Sequence, residues 1–455
     1  MQKHLLSLSL VLSLILGLMM PGSAVDASAD TEPREIIFWH SMSETAGEAM
    51  EQIVDEFNAG PGGDLGIHVE SVFQGSYSDA TSKLRTIIQA GQTIELPDVM
   101  QIDATGIVSY QSTEATFTVD EAITEYEDLD LERFMEVPLA YWNFDGVQLG
   151  LPFSTSTTVT YYNKTLLDEA GFAEAPTTFA EIIDLSEALA ETSADGAKLY
   201  AFGGVPNTPT LANWIGQIPG KDVDSSYVLD ALNGRGGTAT RVIAGEEGTL
   251  RHFLTEWKAM YDAGALMNEP ASLTDLWVAG QIAMITNSSS GLGYLPELVG
   301  DNFEMGVSYF PRIDENSNFG ATVSGSGVFM FDRLSGENKR AAWEFTRYLV
   351  SPEVQADFSM ASGYFPSNKD SYDLDEFKAF AKENPAILTV VEQVEETSPD
   401  MMGIVIGPAW DFYMEIQNQI FLMLDEDLSV EETTETLVKV LDDLLQTYKE
   451  SNPEE

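Results

Sequence analysis

Between residues 35 and 102 the chain alternates short apolar runs with helix-type segments, and this alternation restricts its fold more than any other feature. Glu-Ile-Ile-Phe-Trp at 35–39 is a compact apolar run, and residues 67–73 alternate as a strand should. Leu-Pro-Asp-Val-Met-Gln-Ile at 96–102 reads as a short buried strand. Helices are predicted to about Asn58, with Ser43 as N-cap, and over 79–90, while Gly-Pro-Gly-Gly at 60–63 reads as a turn. Such spacing builds βαβ units around a largely parallel sheet. Sites in these sheets lie beyond the carboxyl ends of the strands. Here those ends hold His40, Ser41, the loop 75–77 and Asp103.

A chain of 455 residues exceeds one small core, so two lobes are expected. Its 44% hydrophobic and 10% aromatic content is that of a globular protein. The charge is unusual: 74 acidic against 22 basic residues leave a net −52. Such a surface repels nucleic acid and anionic lipid, which makes both poor candidate partners, and no nucleic acid is expected. Carboxylates at this excess suit salty or alkaline surroundings, where counterions screen their repulsion; the competing reading is cation binding.

Residues 1–29 read as a signal peptide. Lys3 and His4 precede an apolar run over 5–20, Pro21 and Gly22 break it, and Ala27-Ser28-Ala29 fits the small-x-small cleavage rule. Ser7, Ser9, Ser13 and Gly17 make the run weak as a membrane anchor. The sequence contains no cysteine, which excludes disulfides, thiol catalysis and thiolate metal ligands. It also lacks the cysteine to which exported proteins attach lipid, so a freely soluble periplasmic protein is expected.

Downstream, the polar, small-residue stretch from Phe153 runs into a β-branched and aromatic strand that ends at Asn163-Lys164 and opens a helix. A helix is expected from Phe179 to about Ala190, and loops with short helices over 203–237, which is rich in Gly, Pro and Asn. Further helices are predicted over 250–263, 336–350 and 352–361, with strands ending near Asn287 and over 323–331. The pair at 336–361 reads as amphipathic, with Pro352 in the first turn of its second helix. The C-terminal region reads as helical near 375–381, 386–394, 410–425 and 430–451.

Taken in order, residues 38–42, 75–77, 152–164, 280–284 and 362–366 resemble the family 1 extracellular solute-binding proteins of ABC transporters. The likeness is to the sugar and glycerol-phosphate binding members, at low density over nearly the whole chain after residue 29. It implies an α/β, two-lobed periplasmic binding protein fold, with a mixed, mostly parallel sheet in each lobe and several hinge crossovers. The N-terminal lobe would comprise 30–155 and 325–370, and the C-terminal lobe 156–324 and 371–455. The implied ligand is a small molecule clamped between the lobes. The implied partners are transmembrane permease subunits with a cytoplasmic ATPase. A monomer is expected, with no cofactor and no metal.

Position by position, the resemblance places ligand contacts at Tyr77, Asp103, Ser156, Ser288, Gly325, Tyr364 and Tyr413. Two of these depart from the glycerol-phosphate pattern: Asp103 stands for a glutamate and Tyr413 for an arginine. A phenol cannot replace the bidentate, permanently charged fork that holds phosphate. Tyr413 instead suits the face of a sugar ring, with Asp and Ser side chains to meet its hydroxyls. A carbohydrate is therefore the expected ligand. Each residue also has a plainer reading. Tyr77, Tyr364 and Tyr413 can pack as half-buried aromatics, Ser156 and Ser288 can cap turns, and Gly325 can permit a bend. Trp39 reads as core, and His40 as a hydrogen-bonded histidine.

Three rival functions follow from the same residues. An exported glycan hydrolase needs two carboxylates, but 74 acidic residues make any such pair uninformative, and no Gly-x-Ser-x-Gly motif is present. Metal capture has only His40, His68 and His252 beyond the leader, none in His-Glu-x-x-His spacing. A glycerophosphodiester receptor would need a basic residue from elsewhere, with 203–237 as its source.

Overall fold

The computed structural model describes residues 33–192, 198–219, 227–268 and 273–452; the expected signal peptide lies outside them. Twelve strands are formed among these residues: β1 (Arg34–His40), β2 (Ile67–Phe73), β3 (Val99–Asp103), β4 (Thr116–Phe117), β5 (Asn143–Phe144), β6 (Val147–Gln148), β7 (Leu151–Asn163), β8 (Tyr200–Gly203), β9 (Leu266–Met267), β10 (Ile282–Ser288), β11 (Met305–Ser308) and β12 (Val323–Phe331). Ten of them join in the order β2-β1-β3-β12-β7-β10-β8-β9, with β4 on β12 and β11 on β7. β5 and β6 form a separate hairpin.

The long strand β7 belongs to both halves. Residues 151–157 pair with β12, and from Thr158 onward the partner is β10, joined at Thr160 by β11. β1 runs parallel to β2 and β3, whereas β12 is antiparallel to β3, β4 and β7. On the far side β8 is parallel to β9 and β10, and β7 is antiparallel to β10 and β11. One strand in each half therefore runs against otherwise parallel neighbours. This is the two-lobed, mixed and mostly parallel arrangement expected.

Each half has an aromatic core. Phe38, Phe57 and Phe345 meet edge to face at 5.0–5.2 Å in the first. In the second, Trp214 lies 5.0 Å from Trp257 and 4.8 Å from Phe310. All are fully buried, and each contributes about 1.5–3 kcal/mol or more through apolar area removed from water. Asp98, just before β3, is buried but fully partnered. It pairs with Arg333 at 2.9 Å and accepts from the Ile37 amide and from Asn338.

Most predicted elements form, and the differences have local causes. Residues 60–63 are not a simple turn: Pro61 occupies the first turn of a short helix, Pro61–Leu65, which Gly66 ends in the left-handed conformation. Ser43 holds the N-cap position but makes no side-chain cap bond. The second helix starts earlier than expected, at Tyr77, because Ser76 and Asp79 close a capping box. Within 203–237 the expected short helices form, the longer being the ten-residue Thr208–Gln217. The helix Pro352–Ser362 is not cleanly amphipathic, since it buries Gln355 and Ser359 beside Val354 and Phe358. Gln355 is satisfied there, accepting from the Ser367 and Asn368 amides and donating to the Pro152 carbonyl.

Gly325 sits in β12 at φ +92°, where an added Cβ would overlap the Ser154 carbonyl oxygen of β7. Gly336 has nearly the same φ, +93°, with open space around it. We expect Gly325→Ala to cost about 2–4 kcal/mol and Gly336→Ala about 1 kcal/mol, measured as urea midpoints. Equal costs would show that close approach of β7 and β12 is not the constraint.

Candidate functional site

Where β7 changes partner, its small hydroxyl side chains form a buried polar seam. A Thr/Ser run suits this place, since β-branched and short side chains fit a strand covered on both faces and each hydroxyl both donates and accepts. The Ser154 hydroxyl bonds that of Ser326 on β12, and it accepts from Gln101 on β3 at 2.9 Å. Ser156 pairs with Ser324 at 3.1 Å, and Thr155 with Ser367 at 2.6 Å. Thr157 donates to the carbonyls of Ala321 and Thr322. The seam thus fixes β7 and β12 beside the ends of the flanking strands.

A cavity of about 240 Å³ opens against this seam. Asp103, at the end of β3, and Ser324 and Gly325, on β12, form one wall. Thr208 and Asn213 come from the helix Thr208–Gln217, and Trp410 and Tyr413 from the helix Ala409–Asp425. Thr105, Tyr141, Thr158 and Thr322 complete the polar lining. Tyr413 accepts from Asn207 at 3.3 Å and lies 5.4 Å from Trp410, whose ring is 55% exposed. Asn213 accepts from the Thr322 amide at 3.0 Å. The buried hydroxyls of Thr208 and Thr322 have no hydrogen-bond partner among the described residues.

Asp103 differs from Asp98 in having no basic partner among the described residues. Burial pushes its carboxyl up to about 6, and bonds from the Thr105 hydroxyl (2.7 Å) and nearby amides only partly oppose this. One guanidinium close to the cavity wall belongs to Arg235, from the segment named as a possible source of a base. It is buried behind Tyr141, 4.1 Å from that ring, and donates to the Gly403 carbonyl at 2.7 Å and to the Tyr141 carbonyl. It does not line the cavity, and no Lys or Arg among the described residues does.

Of the seven residues expected at the site, Asp103, Gly325 and Tyr413 line this cavity. Ser156 stands one hydrogen bond behind it through Ser324. Tyr77, Tyr364 and Ser288 do not line it and lie along a hydroxyl chain that joins the seam at Ser326. Tyr77 donates to Ser326 at 3.1 Å, Tyr364 bonds Tyr77 and Ser290, and Ser290 bonds Ser288 at 2.8 Å. Burial raises the Tyr77 and Tyr364 hydroxyls above the usual phenol range. Ser288 also caps the short turn that follows β10, and Tyr364 stacks on Phe358. His40 is buried and bonded to Glu51 at 3.1 Å, and Trp39 is core. Tyr141, Trp410, Thr208, Asn213 and Thr322 were not foreseen. Only Trp410 carried a signal, as an aromatic beside Tyr413 at a helix start.

The family model for bacterial extracellular solute-binding proteins matches residues 52–389. The chain belongs to that family. Among curated relatives it is 24% identical, over 92% of its length and 94% of theirs, to the sn-glycerol-3-phosphate-binding periplasmic protein UgpB of Yersinia pestis. Among solved structures it resembles the sugar-binding protein MalE of Xanthomonas citri, with TM-score 0.73, 20% identity and coverage of 92% and 100% of the two chains. It also resembles UgpB of Mycobacterium tuberculosis in complex with glycerophosphocholine, with TM-score 0.69, 19% identity and coverage of 91% and 99%. Proteins of this family bind small-molecule solutes and work with ABC permease and ATPase components. No helix among the described residues of this chain is long and apolar enough to cross a membrane.

The raised carboxyl of Asp103 sets a pH dependence of folding. Its contribution is full below the ordinary value of 3.8 and is lost as pH rises through about 6. We expect Asp103→Asn to exceed the wild type in stability by about 1–3 kcal/mol at pH 7, with the gap closing by pH 4. Denaturant midpoints at the two pH values measure this, and a gap independent of pH would contradict it.

Proposed function

We propose that this chain is the periplasmic, substrate-binding component of an ABC importer that captures a carbohydrate between two closing lobes and releases it unchanged. The observation that carries the reading is the cavity's lining: aromatic Trp410 and Tyr413, a ring of hydroxyls and amides, Asp103, and no basic side chain. Sugars present apolar C–H faces and a rim of hydroxyls, and aromatic walls with a few fixed polar groups complement both. The unpartnered hydroxyls of Thr208 and Thr322 and the unpaired carboxyl of Asp103 are left for a ligand to satisfy. MalE, one structural neighbour, is a sugar-binding protein.

On this reading the ligand contacts are Tyr77, Asp103, Ser156, Ser288, Gly325, Tyr364 and Tyr413, joined by Tyr141, Thr322 and Trp410. The lobes are 30–155 with 325–370, and 156–324 with 371–455, and closure turns about the crossovers β7 and β12. Ligand contact with both lobes favours the closed state. The chain is exported as a soluble monomer after loss of residues 1–29, catalyses no reaction, and delivers its ligand to permease subunits.

The second reading is a glycerol-3-phosphate or glycerophosphodiester receptor, favoured by the UgpB relatives. A phosphate in this cavity would face Asp103 with no cation, at a cost of several kcal/mol.

A melting-temperature panel of sugars, polyols and phosphate esters separates the two, since a specific ligand raises the midpoint in proportion to ln(1 + [L]/Kd). We expect a saccharide to give the largest shift and Tyr413→Ala to weaken its binding about 10- to 100-fold. A shift confined to phosphate esters, or an affinity unmoved by Tyr413→Ala, would overturn the reading.

A further inference from the structure

A second cavity, of about 180 Å³, adjoins the first and shares Thr105, Ala409 and Trp410 with it. Small-molecule sites usually enclose roughly 300–1,000 Å³. Neither cavity reaches that size alone, whereas the two together do. The exposed Trp410 ring lies at their junction, so one ligand passing it would occupy both.

The second cavity has its own chemistry. Ser78, Thr81, Ser82 and Arg85 repeat at three- and four-residue spacing along the helix Tyr77–Gln89 and present one polar face to it. Arg85 makes no hydrogen bond, ion pair or ring contact among the described residues, and its buried Nε has no partner. Every other arginine described has at least one of these. Six of those arginines pair with a carboxylate, and Arg34, Arg235 and Arg312 donate to carbonyl or amide oxygens instead, so Arg85 alone among those described has no partner. Asp411 lines the same cavity but lies beyond ion-pair distance. A guanidinium is a planar fork of donors that matches carboxylate, sulfate and phosphate ester groups.

We propose that the ligand has at least two sugar units: a neutral one in the first cavity, against Tyr413, and an anionic one in the second, past Trp410, with its charged group on Arg85. This rests on the carbohydrate reading above and adds to it the ligand's length and charge.

The test is calorimetric titration with matched sets of a monosaccharide, a neutral disaccharide, a uronate-bearing disaccharide and a sulfated or phosphorylated disaccharide. Wild type, Arg85→Gln and Arg85→Lys are compared, and melting temperatures check folding, which should not change because Arg85 has no partner to lose. We expect the best anionic disaccharide to bind wild type about tenfold or more tightly than its neutral counterpart. That preference should vanish in Arg85→Gln, survive in part in Arg85→Lys, and weaken with added salt. Which anionic arm wins identifies the charged group. The proposal is overturned if a neutral disaccharide binds as well as the anionic ones, if Arg85→Gln leaves the preference intact, or if the monosaccharide binds as tightly as any longer sugar. In those cases sugar binding itself still stands. If no sugar binds at all, the carbohydrate reading falls as well.

Discussion

The pairing of β7 with two different sets of strands is the constraint on which the rest depends. Up to Thr157 its backbone groups are satisfied by β12, and from Thr158 by β10 and then β11. A backbone that changes partners within one residue must stay extended and be covered on both faces. Its side chains there must be short enough for neighbouring strands to approach and polar enough to serve the groups exposed at the change. Ser154, Thr155, Ser156 and Thr157 meet both needs, each bonded to a residue distant in sequence. Gly325 meets the steric need from the other side. The cavity lies where it does because the strands end at this seam.

Charge then separates structural from ligand-facing groups. Asp98 and Asp103 stand five residues apart around the same strand, one with an arginine and two further donors, the other with a hydroxyl and amides only. Burying a carboxylate without a counterion is costly, so the difference points to what the second one meets when the site is filled. Arg235 and Arg85 form a parallel contrast. The first donates to two carbonyls and packs on two aromatic rings, and the second has no partner among the described residues. In a chain of net charge −52 these unmatched groups are more informative than the charge itself.

Much of the fold was legible because its strands and outer helices carry clear periods. β2 and β12 have the ends that alternation and turn residues predict, and helices such as Val430–Ser451 carry one apolar face. The helix Thr208–Gln217, in a stretch expected to hold short helices, could not be given bounds because eight of its ten residues are buried, so no polar face marks a helical period. Pro61 was misread because a proline in a glycine-rich stretch suits a turn and a first helical turn equally. At the site, Asp103 was reachable from the rule that ligands lie beyond strand ends, and Tyr413 and Gly325 from the resemblance. Tyr141 and Thr322 carry no local signal, since they are far apart in sequence and come to one cavity only once β7 and β12 are paired.

The most direct test of this account is a crystal structure of the mature protein grown with the saccharide that stabilises it most. The account predicts intact sugar in the cavity beneath the β7–β12 seam, one ring against Tyr413 and its hydroxyls donating to Asp103. A phosphate seated in that cavity, a cleaved sugar, or a ligand bound away from the seam would contradict it.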